Sequence, residues 1–173
     1  MKTLYLALSL AFFSAATISQ FAIAQDDKSA EKERVHSADA FATCSACHLA
    51  DGAGIPGAFP PLRNRLAAIA SLDGGRDYLI TVVSFGLMGT IEVGGMQYFG
   101  VMAGNKGAMT AEEISSALNY AVFELADHEV EAVPVFTADE VNSAQSTVSA
   151  ASPAVAGELR KKMLEQHGDQ WPK

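Results

Sequence analysis

Two cysteines are all the thiol chemistry in this chain of 173 residues, and they stand three positions apart at Cys44 and Cys47. With no third cysteine, a structural zinc site would need its other ligands from histidine. Beyond His48, only His36, His128 and His167 are present, and none sits at a ligand-pair spacing. Basic residues are also scarce. Twelve Lys and Arg against 20 Asp and Glu leave a formal net charge of -8, which excludes a nucleic-acid or other phosphate-binding role. The acidic surface serves solubility or steers a basic partner, and its pattern names no partner. After the first two dozen residues no apolar run is long enough to cross a bilayer, so the mature chain is expected to have no membrane span. Internal repeats and a second catalytic-looking domain are lacking as well.

What is present begins with an export signal. Lys2 precedes an apolar run from Leu4 to Phe13, and small residues lead to Ala22-Ile23-Ala24, a small-x-small cleavage site. Ser14, Thr17, Ser19 and Gln20 interrupt the apolar stretch and argue against an anchor. The layout predicts cleavage after Ala24, making 1–24 a signal peptide and Gln25 the first mature residue. Residues 25–35 are charged without apolar periodicity and read as a flexible leader. The rest is 49% hydrophobic over the whole chain and of a length for one core.

Helix signals follow. Ser37 is placed to cap a helix that carries Asp39 in its first turn, sets Ala40, Phe41, Cys44 and Cys47 at helical spacing, and ends at His48. From Ala50 to Leu62 the chain holds Gly52, Gly54, Pro56, Gly57, Pro60 and Pro61, a loop that needs something else to hold it. A second helix is expected from Asp73 to Phe85, with Asp73 or Asp77 near its start and Gly86 as its stop. The stretch from Gly86 to Gly107 is punctuated by glycine, carries Met88, Met96 and Met102, and reads as irregular. Thr110 and Glu113 have capping-box spacing ahead of Ile114, Leu118, Ala121, Val122 and Leu125. A last helix is expected over Pro153 to Gln166, with Ser152 as cap and Gly168 beyond its end.

The chemistry concentrates in Cys44-Ser45-Ala46-Cys47-His48, the C-x-x-C-H pattern of c-type haem attachment. Thiols three residues apart on a helix face the same way and can each bond one haem vinyl group, while the adjacent imidazole binds the iron. A disulfide or thioredoxin-like pair is the main competitor, but the βαβ pattern such a redox fold needs is missing around the motif. Structural zinc is the other. Export to an oxidising compartment favours haem.

On these residues the chain resembles the class I cytochromes c, from about Ser37 to Ala126. The resemblance implies an all-α fold, a small cytochrome c-like domain of three to five helices wrapped around one covalent haem c, here over 36–130 with a C-terminal helical extension over 131–173. It implies that Pro60, in Phe59-Pro60-Pro61-Leu62, accepts the hydrogen bond of the non-coordinating nitrogen of His48, and that Leu62 packs on the macrocycle. It implies that Met102, in Tyr98-Phe99-Gly100-Val101-Met102, is the sixth ligand opposite His48, with Met96 as the next candidate and Met88 and Met109 as further competitors. Two departures stand out. Ala103 and Gly104 follow Met102 where the family often has proline, which implies a softer loop and a more labile Fe–S bond. The aromatic normally four residues before the first cysteine stands at three, as Phe41, which implies an altered register against Tyr120.

The function so implied is periplasmic electron transfer rather than catalysis, by a mobile carrier or by the cytochrome subunit of a respiratory or dehydrogenase complex docked through the tail from Val133. The alternative is a haem enzyme or small-ligand-binding protein with a displaceable sixth ligand. Redox proteins are the expected partners. Ala50, Ile55, Phe59, Leu62, Leu79, Val83 and Val101 are the expected apolar surroundings of the ring, and Arg63, Asn64 and Arg65 are either propionate partners or solvated surface. One mass measurement tests the cofactor: the denatured secreted chain is expected to exceed its polypeptide mass by one haem, and Cys44→Ser with Cys47→Ser to remove the excess.

Overall fold

The computed structural model describes residues 35–131, 133–148 and 152–173. The expected signal peptide, 1–24, and all but the last residue of the leader, 25–35, lie outside the described residues. Helix α1, Ala38–His48, starts where Ser37 accepts a hydrogen bond from the Ala40 N–H at 3.2 Å, relieving one of the donors left unpaired at a helix start. A short helix α2, Leu66–Ala70, follows the glycine- and proline-rich loop. Helix α3, Gly75–Phe85, is capped by Gly74 in the left-handed region, not by Asp73 or Asp77, and stops at Gly86.

The region expected to be irregular is a β-hairpin. Strands β1, Gly86–Val93, and β2, Met96–Ala103, pair antiparallel with Leu87 opposite Met102 and Ile91 opposite Tyr98. Gly94 and Gly95, both at positive φ, form the two-residue turn, the conformation whose twist matches paired strands. The all-α expectation is therefore corrected: a helical cytochrome fold carries a small two-stranded sheet. The described residues also hold six α-helices rather than three to five.

Helix α4, Ala111–Asn119, opens with the capping box, Thr110 and Glu113 each bonding the other's backbone N–H, and runs into one π-helical turn, Tyr120–Glu124. Helix α5, Ala138–Thr147, was not signalled by its polar sequence, whereas α6, Pro153–His167, occupies the expected place without a side-chain cap from Ser152. Both tail helices join the main core. Val133, Phe136, Val141, Met163 and Trp171 pack in one cluster with Ile80, Leu79, Ile114, Leu118 and Val122. Ile80, Ile114 and Val141 are fully buried, each contributing about 1.5–3 kcal/mol.

Polar ties fix the tail's path. Arg76 bonds Glu140 through Nε at 2.6 Å, donates to the Pro134 carbonyl at 2.6 Å, and lies 3.9 Å from the centre of the Phe136 ring. Asn119, buried in α4, donates to the Phe136 carbonyl at 3.0 Å and accepts from the Phe136 N–H at 2.7 Å. One side chain thus satisfies both backbone groups of Phe136. Asn119→Leu strands that buried N–H and C=O together, and the expected loss is about 2–4 kcal/mol, read from the urea unfolding midpoint.

Candidate functional site

The end of α1 delivers Cys44 and His48 to a cleft that α2, α3, β1, β2, α4 and α6 also line. The free space in it, mouth included, amounts to about 810 Å³. Its walls are almost wholly apolar: Phe41 and Leu62 beside the attachment helix, Leu66 and Ile69 from α2, Leu79, Val82 and Val83 from α3, Leu87, Ile91 and Val93 from β1. In the strand row that carries Leu87 and Ile91, Gly89 stands opposite Gly100, and a Cβ on either would meet nothing within 4 Å. Room for a flat ring lies beside Met102 accordingly.

His48 is buried, and its Nδ1 lies 2.8 Å from the Pro60 carbonyl. A carbonyl only accepts, so Nδ1 carries the proton and Nε2 keeps its lone pair. Burial pushes the imidazole below its ordinary pKa, with the Pro60 carbonyl pulling the other way. The neutral, ligating form is the one favoured. The loop reaches this position through its own backbone: Gly54 N–H donates to the His48 carbonyl at 3.0 Å, Ile55 N–H to the Phe59 carbonyl at 2.8 Å, and Leu62 N–H to the Gly52 carbonyl at 2.8 Å. Gly54 sits at φ +69, where a Cβ would come within 2.4 Å of the Phe59 oxygen.

Cys44 is half-buried and lines the cleft, burial chiefly raising its thiol pKa, while Cys47, one turn on, is exposed; neither is in a disulfide. The structure brings Cys44, His48, Pro60, Leu62 and Met102 together at the cleft. Met102 is the one methionine lining it; Met88 and Met96 are largely exposed and Met109 packs against the main core. Of the apolar residues expected around the ring, Leu62, Leu79 and Val83 line the cleft. Ile55, Phe59 and Val101 do not: Val101 is 69% exposed on the outer face of the hairpin, because alternation along β2 turns it away when Met102 faces in. Phe59 instead meets the His48 ring edge-on, with centroids 6.4 Å apart.

The three polar residues after the loop divide. Arg63 donates through Nε to Asp127 at 3.1 Å and Asn64 through Nδ2 to the same carboxylate at 2.6 Å, away from the cleft. Their hydrogen bonds hold the Asp127 carboxyl below the usual range. Arg65 alone lines the cleft, where it meets Arg160 of α6, a residue no sequence signal had marked. The expected softness after Met102 is also corrected. Asn105 and Lys106 donate their backbone N–H groups to the Val83 and Ser84 carbonyls at 2.9 Å each, pinning the segment to the end of α3. Phe41 stacks on Tyr120 with centroids 5.1 Å apart, so the shifted aromatic still joins the first helix to the turn after α4.

An apolar cleft of haem-sized span, a C-x-x-C-H helix at its mouth and an imidazole nitrogen held free by a carbonyl define a c-type cytochrome site. No family model matches the chain. Over 102 residues it is 46% identical to the cytochrome c-552 of Thermus thermophilus, a match covering 58% of this chain and 77% of the relative. A second cytochrome c-552 of the same bacterium matches at the same identity and is covered over 68% of its length. The chain belongs to the class I c-type cytochromes, and its cofactor is one haem c bound covalently through the Cys44–Cys47 motif. The loop that orients His48 depends on Gly54: Gly54→Ala is expected to cost about 2 kcal/mol or more, measured as a lowered thermal midpoint of the holoprotein.

Proposed function

We propose that this electron-transfer protein works as a periplasmic one-electron carrier, with His48 Nε2 and Met102 Sδ as the two axial ligands of its iron. The observation that carries the reading is the cleft's donor set: one imidazole with its distal nitrogen free and one thioether, from α1 and β2, among walls that are otherwise apolar. Bound haem supplies a reversible ferric–ferrous couple, and a thioether opposite an imidazole favours the reduced state.

The chain's residues do the rest. Pro60 fixes the imidazole's tautomer and orientation, and Leu62 covers the macrocycle. The walls from α3 and β1 exclude water, which keeps the local dielectric low. Anchoring of Asn105 and Lys106 on α3 holds the methionine strand in place and supports carriage over a displaceable-ligand chemistry, so no enzyme activity is assigned. The 36–130 segment is read as the haem domain and 131–173 as an extension, and redox proteins are the partners, met in solution or within a larger complex. Export rests on the 1–24 signal. Among the described residues no helix is long and apolar enough to cross a membrane.

The far-red absorption band of the ferric protein, which reports an Fe–S bond, tests the ligand set. It is expected to vanish in Met102→Ala and to persist in Met96→Ala; loss of the band only in the Met96 variant overturns the assignment.

A further inference from the structure

Two arginines face each other in the cleft, and no acid faces either. Arg65, just before α2, and Arg160, from the middle of α6, are each 7% exposed and both line the cavity. The groups that act electrostatically on Arg65 are Arg160, Tyr78 and Tyr98, none a carboxylate, and its Nη1 is buried without a hydrogen-bond partner. Burial and the neighbouring Arg160 push the Arg65 guanidinium below its ordinary pKa, the direction expected of a cation short of counter-charge.

The second orphaned donor among the described residues is close by. Trp171 Nε1 is buried and unpartnered, and the indole ring centre lies 5.1 Å from the Arg160 guanidinium and 5.7 Å from the Tyr78 ring. Arg160 itself donates through Nη2 to the Glu92 carbonyl at 2.8 Å, which leaves most of its five N–H donors for other acceptors. Two like charges in an apolar cavity, with unpaired donors beside them, carry a desolvation cost that only an anion rich in acceptor oxygens offsets. Haem c brings two such groups, its propionate carboxylates, and planar guanidinium forks match carboxylates in a bidentate way.

We propose that Arg65 and Arg160 form a two-guanidinium seat for the haem propionates, so that the cofactor itself fastens helix α6 of the C-terminal extension to the haem-binding part of the chain. This rests on covalent haem at Cys44 and Cys47 and not on which residue is the sixth ligand. Arg160 is a positioning residue here. It neutralises the carboxylates on one side and holds α6 on the other, and its charge disfavours the ferric state, which carries one more positive charge than the ferrous.

The test uses the purified holoprotein with Arg160→Gln, Arg160→Lys and Arg65→Gln. Spectroelectrochemical titration is expected to show a lower reduction potential in both Gln variants and recovery of most of the shift in Arg160→Lys. Amide hydrogen exchange through α6 is expected to quicken roughly tenfold in Arg160→Gln, and to quicken also in Arg65→Gln although Arg65 lies outside the tail. A purely structural Arg160 predicts loosened α6 with the potential unmoved in both Gln variants, and that result overturns the proposal. If Arg160→Gln does not accumulate, Arg65→Gln decides alone by the same two readouts. Recording the far-red band on each protein separates a failed seat, with unchanged potential and the band intact, from a failed His/Met assignment, with the band absent in the unmodified protein.

Discussion

The hydrogen bond between His48 Nδ1 and the Pro60 carbonyl is the constraint from which the rest of the site follows. A helix end alone leaves an imidazole free to rotate and to choose its tautomer. Bonding one nitrogen to a backbone carbonyl commits the proton to that side and aims the other lone pair into the cleft. The loop that supplies the carbonyl contains two adjacent prolines and several glycines, so it has few rotatable alternatives and can be folded back tightly by a handful of backbone bonds to Gly52, Gly54 and Phe59.

Around that fixed point the chain builds a cavity that it does not close by itself. Apolar side chains from α3, β1 and α4 line it, and the Gly89–Gly100 pair keeps one row of the hairpin bare. Such a surface is stable only when covered, and haem, tethered through the attachment motif, is the group that covers it. The hairpin adds a stiff support for Met102, because Leu87 pairs across from it and the segment just beyond is tied to the end of α3. Covalent tethering at one edge and a pinned strand at another suit a centre whose geometry changes little between oxidation states.

The C-terminal extension belongs to this core. Asn119 and Arg76 reach from α4 and α3 to the segment around Pro134 and Phe136, and Met163 and Trp171 of the last stretch join the cluster around Ile80 and Ile114. Most of the extension's polar surface faces solvent, while its few large side chains face inward. The parts of the extension that touch the cleft do so through a cation, Arg160, in contrast with the apolar contacts elsewhere.

Sequence alone determined the features that depend on neighbours along the chain. The spacing of Cys44, Cys47 and His48, the cap at Ser37, the Thr110–Glu113 box and the stop at Gly86 are all set by interactions spanning a few residues, and helix geometry makes them legible. The hairpin was missed although Gly94-Gly95 between two β-branched and aromatic runs signals one, because scattered glycines also read as loop. What only the tertiary structure decided is which side chains converge from far apart. Val101 and Met102 differ by one residue and face opposite ways through strand pairing, Arg63 turns to Asp127 while Arg65 turns inward, and Arg160 arrives from the far end of the chain. Pleat, burial and long-range packing settle those placements, and none of them leaves a local mark in the order of residues.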